Sequence, residues 1–278
     1  MGWAYGYVCR NDVFVAYNWY EMNHIGHFVL VQTFLVAAIA GYWKWHRHPY
    51  LAPSLLVTAS LLLGALLALV GQTYQTGANS WQLFFTWACL LIPWAIAAKS
   101  NAMWLLVLSL LNLSLYLWHV VNPGWPQDLW TNERSLMIWG MLFNAVAVAV
   151  WEAAASHSNS ASSRWPMRLL GTLSALCAFW IAAQMIVEET ILVIPLSLVT
   201  FWLASAFCFY RYLRLDMYFL SILAMWGTAI VGAATIYWSL DDFNLGGLLF
   251  STMVILIMAS FATSWLKQVR KEVNHDTE

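Results

Sequence analysis

All twelve Lys and Arg residues of this chain lie outside its long apolar runs, and that placement limits the fold more than any motif does. The runs are Ile25–Tyr42, Leu55–Val70, Trp81–Ala98, Ala102–Val120, Leu136–Ala154, Leu169–Val187, Ile191–Tyr210, Met217–Trp238 and Leu248–Trp265. All nine are near the length that crosses a bilayer as a helix, roughly 20 residues. Hydrocarbon offers backbone groups no partners, so a spanning segment must satisfy its own N–H and C=O groups, as a helix does. Hydrophobic residues make up 62% of the chain and charged residues 9%, against roughly 25% charge in a soluble domain. The expected fold is all-α: a polytopic integral membrane bundle of about nine transmembrane helices.

The cations also set an orientation. Lys44 and Arg47 follow the first run, Lys99 the third, Arg164 and Arg168 the fifth, Arg211 and Arg214 the seventh, and Lys267, Arg270 and Lys271 the ninth. The opposite ends hold only Arg10 and Arg134. Cationic loops resist translocation, so the pattern places the N-terminus outside and the C-terminus in the cytoplasm. Glu188, Glu189, Asp241 and Asp242 fall in the outer loops. Many of the nineteen Trp residues, Trp43, Trp81, Trp118, Trp151 and Trp238 among them, sit near run ends, where an indole suits the headgroup layer. Of the four cysteines, Cys89, Cys177 and Cys208 fall inside runs and read as small buried apolar residues. Cys9 has no outer partner, so neither a disulfide nor a cysteine metal site is expected.

Connections are short and no soluble domain is inserted. Met1–Tyr20 reads as an outer N-terminal segment without the pattern of a signal peptide. Residues 21–155 form a front unit of five helices. Residues 156–166, with the Ser-rich stretch Ser156–Ser163, form a polar cytoplasmic linker. Residues 167–266 form a rear unit of four helices, and 267–278 a charged tail. The orientation leaves nothing but the first span to export the N-terminal segment. An upstream span missing from the chain is one explanation.

Two stretches carry a family resemblance. One is Phe14-Val15-Ala16-Tyr17-Asn18-Trp19. The other is Gly64-Ala65-Leu66-Leu67-Ala68-Leu69-Val70-Gly71-Gln72-Thr73-Tyr74-Gln75-Thr76-Gly77-Ala78-Asn79, leading into Trp81-Gln82-Leu83-Phe84. Over about residues 13–155 the chain resembles the bacterial membrane proteins grouped as domain of unknown function 2157. The resemblance implies a bacterial inner (cytoplasmic) membrane location. It also implies a cytoplasmic segment and a span before Tyr17-Asn18-Trp19, which this chain lacks. It implies no activity to carry over.

The densest set of hydrogen-bonding groups is the outer loop Gly71–Ser80, with Gln72, Thr73, Tyr74, Gln75, Thr76 and Asn79. Gly71 is expected to cap the second span and Gly77 to turn the chain, since glycine tolerates positive φ. Tyr17, Asn18 and Trp19 are expected on the same side. Such an uncharged set can bind a sugar, a polyol, a lipid headgroup or a peptide backbone. Equally, it can tie helix ends together, because backbone near lipid needs internal partners.

The fourth run places Ser109, Asn112, Tyr116 and His119 on one face, and the fifth does the same with Gly140, Asn144, Val148 and Glu152. Asn112 and Asn144 are near midspan, where two carboxamides can satisfy each other or line a polar site between helices. Glu152 and Glu188 stand at span edges, where both can reach water. Gln184 precedes Glu188 by one turn. No base sits at midplane and no string of acids crosses the membrane, which argues against a proton relay, a voltage sensor or a pump. His24 and His27, with Glu21 a turn earlier, have a zinc-like spacing. Three convergent ligands are needed, and no metal or other cofactor is expected. Ser60, Gly64 and Ala68 form a small-residue row that permits close helix approach. Pro93 is expected to kink the third span.

No P-loop, dinucleotide turn, Ser-His-Asp signature or nucleic-acid-binding patch is present. The expected partners are the lipid bilayer and either a small-molecule ligand or another membrane protein, with no nucleic acid. The leading functional reading is non-catalytic binding or transport of a small polar or amphipathic molecule. Its candidate ligand-binding residues are Tyr17, Asn18, Trp19, Gln72, Tyr74, Gln75, Thr76, Asn112 and Asn144. The alternatives are a structural or assembly subunit, and an enzyme acting on lipid-linked material with Glu188, Asp241 or Asp242 as acid or base.

Overall fold

The computed structural model describes residues 23–48, 50–74, 77–98, 100–122, 132–157, 164–189, 192–241 and 245–275. Among them the chain is helical and without strands. The helices are α1 (His24–Lys44), α2 (Leu51–Tyr74), α3 (Ser80–Ala98), α4 (Asn101–Val121), α5 (Asn132–His157), α6 (Trp165–Val187), α7 (Val193–Cys208), α8 (Met217–Asp241) and α9 (Leu245–His275). A π-helical turn, Phe209–Leu213, continues α7. Nine of the described helical segments are long and apolar enough to cross a membrane. Large apolar side chains such as Phe34, Trp180, Phe201, Met225, Leu249 and Phe261 are exposed on them. So much exposed apolar surface would be untenable in water and is ordinary against lipid.

The hydroxyls follow the same logic. Thr33 donates to the Val29 carbonyl at 2.6 Å, Thr200 to Leu196 at 2.9 Å and Ser260 to Leu256 at 2.7 Å. Each of these three exposed hydroxyls is absorbed by its own helix, so its donor does not meet hydrocarbon bare.

The chain divides into two compact units, Met1–Asn122 and Pro123–Glu278. This differs from the boundary expected at the polar Ser156–Ser163 stretch. The reason is packing: α5 lies against α6, so the stretch joins two partners within one unit.

In the first unit α1 packs on α2 and α3 on α4, and α2 contacts both α3 and α4. Its core holds Leu56, Ala88, Leu91, Met103 and Val107. The small-residue row of α2 forms the expected contact face. Ser60 and Gly64 are buried, and the Trp87 ring lies so close to Gly64 that an added Cβ would be 2.3 Å from it. The Trp87 indole N–H donates to the Ser60 carbonyl at 3.0 Å. Helix α3 runs unbroken through Pro93.

In the second unit α5 packs on α6, α6 on α8, and α8 on α9, while α7 contacts α6 and α8. Its core holds Ile138, Met141, Ala178, Ile181 and Val199. Gly171 is pressed against Phe219, whose ring would be 2.2 Å from an added Cβ, and Phe219 stacks on Tyr210 with ring centroids 4.0 Å apart.

Candidate functional site

The most concentrated polar chemistry among the described residues lies in the second unit, where one end of α5, α6, α7 and α8 comes together. Glu152 on α5 accepts from Arg164, just before α6, at 3.2 Å. It also pairs with Arg214, just past the π-helical turn, at 2.5 Å. Asp216, just before α8, pairs with Arg164 at 3.0 Å and with Arg168 at 3.4 Å. The Asp216 carboxylate also caps α8 by accepting from the Tyr218 backbone N–H at 3.0 Å. The result is a ladder of alternating charge: Arg214, Glu152, Arg164, Asp216, Arg168. Burying a carboxylate without partners is costly. Here each buried carboxylate has two guanidinium partners.

Glu152 therefore departs from expectation. Its side chain is 5% exposed and meets two arginines instead of water. The helical face that carries it was legible, since Gly140, Asn144, Val148 and Glu152 are all buried. The arginines were legible only as flanking charge, and Asp216 carried no signal beyond its place between two helices.

A cleft of about 560 Å³ starts at Glu152 and Arg214 and runs between α5 and α7, past α6 and α8. Its walls include Ala145, Val148, Ala149, Trp202, Phe209 and Leu223. Space exists there because α5 presents Ala145, Ala149 and Ala153, spaced four apart and so stacked on one face. That alanine row is the sequence signal for the cleft. Two hydroxyls on its wall are already engaged: Ser174 donates to the Met141 carbonyl and Ser205 to Trp202, both at 2.9 Å. The cleft thus has one ionic end and an otherwise mostly apolar lining. The π-helical turn borders it, and such wide turns recur at functional sites.

The opposite end of the α5–α6 pair is closed by an ion pair between buried Arg134 and Glu188, which is itself partly exposed. Glu188 reaches water as expected, and it also neutralises a buried cation.

The residues singled out for binding are spread over both units. Gln72 and Tyr74 are exposed, and they lie within α2, which runs on through Gly71 to Tyr74. Gly71 therefore does not cap the helix where expected. Gly77 does turn the chain, at φ +64°. Gln82 reaches back to accept from the Asn79 backbone N–H at 3.2 Å, one half of a capping box that starts α3. Gln72, Asn79, Trp81 and Gln82 line a second, wider cavity of about 1240 Å³ between α2 and α3. Tyr17, Asn18, Trp19, Gln75 and Thr76 lie outside the described residues, as do Glu21, Asp242 and residues 158–163 of the Ser-rich stretch, whose first two residues end α5.

Asn112 and Asn144 fall in different units. Each amide donates to the carbonyl one turn back on its own helix, Leu108 at 2.9 Å and Gly140 at 2.8 Å. Asn144 is fully buried and Asn112 partly so. His24 and His27 meet edge to face, with centroids 6.5 Å apart. No group of three metal-binding side chains occurs among the described residues. Cys89 and Cys208 are exposed on their helices, contrary to the expectation that they are buried.

These exposed apolar helices and short loops are what a membrane protein family would show. The model of the predicted membrane protein family DUF2157 matches residues 13–104. The match supports the resemblance read from Tyr17-Asn18-Trp19 and the Gly71–Asn79 stretch, over a shorter range than residues 13–155. It stops within α4, so the ionic ladder and its cleft lie outside the DUF2157 match. No curated protein and no solved structure matches the chain. The protein is a multi-pass membrane protein.

Proposed function

We propose that this protein binds an amphipathic molecule without chemically changing it, and that the second unit holds the binding site. The single observation that carries the reading is a mostly apolar cleft ending on a charged pair, Glu152 and Arg214. Its volume falls within the roughly 300–1,000 Å³ of small-molecule pockets, which are mainly apolar with a few fixed polar groups. In this reading the membrane is a bacterial cytoplasmic membrane and the ladder faces the cytoplasm. Support for that orientation is the alternation of Lys and Arg along the chain.

A second reading puts a polar ligand at the outer face, around Gln72, Tyr74, Gln75 and Thr76 with Tyr17–Trp19. The cavity beside Gln72, Asn79 and Gln82 favours it.

Mass spectrometry of the gently purified protein tests the lead reading. A small amphipathic molecule should copurify with the parent and be lost from Ala149→Phe, which fills the cleft. Equal content in both proteins would sink the site in the second unit. Labelling of intact cells with an impermeant thiol reagent tests the orientation. In a cysteine-free background, a cysteine at position 75 should react and one at 164 should not. The reverse pattern would refute the topology.

A further inference from the structure

We infer that the occupant of the second-unit cleft is an acidic amphiphile, with one anionic head at Arg214 and one apolar chain along the alanine row of α5. The inference rests on the proposed binding of an amphipathic molecule and adds the sign of its charge.

The ladder counts three guanidinium groups against two carboxylates, so it carries one net positive charge. A monoanion balances it. Exposure decides which atoms a ligand meets first. The Glu152 and Asp216 side chains are 5% and 2% exposed, whereas those of Arg164, Arg168 and Arg214 are 32%, 41% and 38% exposed. Of the two ladder residues that line the cleft, Arg214 is the exposed one and Glu152 the buried one, so the ladder offers a cleft ligand mainly donors. A cationic or hydroxyl-only head would have to displace an arginine to reach a carboxylate. An anionic head adds to what is already there, through charge-assisted hydrogen bonds to guanidinium.

The rest of the ligand follows from the walls. From Glu152 back to Ala145 the cleft follows α5 for seven residues, about 10 Å at the helical rise of 1.5 Å per residue. Ser174 and Ser205 spend their hydroxyl protons on backbone carbonyls. An alkyl chain suits this arm; a sugar or peptide would leave its own polar groups unmatched.

The test uses the full chain in phosphatidylcholine nanodiscs, with radiolabelled laurate as the probe. Laurate should bind saturably, and unlabelled laurate should compete at least tenfold better than dodecanol, given the strength of hydrogen bonds to charged groups. Arg214→Gln should abolish that preference. Since this change also removes a partner of Glu152, Ala149→Phe serves as a second variant. It leaves the ladder intact and should lose saturable binding while keeping the parent melting temperature.

Dodecanol competing as well as laurate would overturn the acidic head and leave the amphipathic-ligand reading standing. No saturable binding of laurate or of labelled dodecanol, with Ala149→Phe indistinguishable from the parent, would overturn both. Adding phosphatidylglycerol to the nanodisc names the carrier of the acid. Blocked laurate binding assigns it to a phospholipid headgroup and undiminished binding to a free acid, and both uphold the anionic head.

Discussion

The two units solve the same problem with different chemistry. Residues 23–122 contain no Asp or Glu, so no carboxylate ion pair forms among the described residues of the first unit. Its helices close on small residues and aromatic rings, as where Trp87 covers Gly64 and bonds to the Ser60 carbonyl. The second unit buries Glu152, Asp216 and Arg134, and spends ion pairs on both ends of α5 and α6. Close packing and neutral hydrogen bonds, without carboxylate ion pairs, therefore join the described helices of the first unit. The charges of the second unit need another reason, since a buried ion pair is weak evidence for stability. The cleft that opens on Glu152 and Arg214 supplies one.

The largest expected effect tests that contrast directly. Arg164 joins both buried carboxylates, so Arg164→Met leaves Glu152 and Asp216 with one partner each. Breaking a buried pair costs about 3–5 kcal/mol. Partial exposure of Arg164 puts the expected loss near the lower bound, about 3 kcal/mol. Lys44, in the first unit, has no described carboxylate to lose and only stands 5.1 Å from the Trp45 ring. Lys44→Met should cost no more than about 0.5 kcal/mol. Thermal unfolding in detergent measures both. Equal losses would erase the difference between the units.

The next effect is one the units share. An Ala at Gly64 or Gly171 puts a Cβ inside an aromatic ring's space. Overpacking costs about 1–3 kcal/mol, more than the up to ~1 kcal/mol that Ala gains over Gly in a helix. Gly64→Ala should cost more, because moving Trp87 also breaks its bond to Ser60, whereas Phe219 only slides on Tyr210. A larger loss at Gly171 would show that Phe219 is the more tightly held ring.

Legibility from sequence also differs between the units. The apolar runs read directly as helices because period and length are local properties. Helix α2 outran its reading, since Gly71 has open space around it and nothing there forces the backbone to turn before Tyr74. Gly77, where φ is positive, is the glycine that turns the chain. The stripe ending in Glu152 was visible, but its partners were not. Arg164 and Arg214 looked like charges that set topology, and Arg214 meets Glu152 across 62 positions. Helical periodicity cannot report a contact between helices that distant in sequence. The DUF2157 match points to the first unit, while the most distinctive chemistry is in the second.

The smallest expected effect concerns the end of the first unit where α2 gives way to α3. Gln72 is exposed on the last turn of α2, and Gln82 holds the Asn79 N–H at the start of α3. An exposed side chain away from caps and core changes stability by no more than about 0.5 kcal/mol, so Gln72→Ala should leave the melting temperature unchanged. Gln82→Ala removes a capping bond and should cost about 0.5–1 kcal/mol. If Gln72 serves a ligand, its change lowers the content of a copurifying polar molecule at constant stability. If it only ties helix ends, it lowers stability and leaves that content alone. A Gln72→Ala protein that melts well below Gln82→Ala would make the Gly71–Ser80 stretch a structural cap and remove the proposed site there, leaving the cleft of the second unit as the remaining candidate.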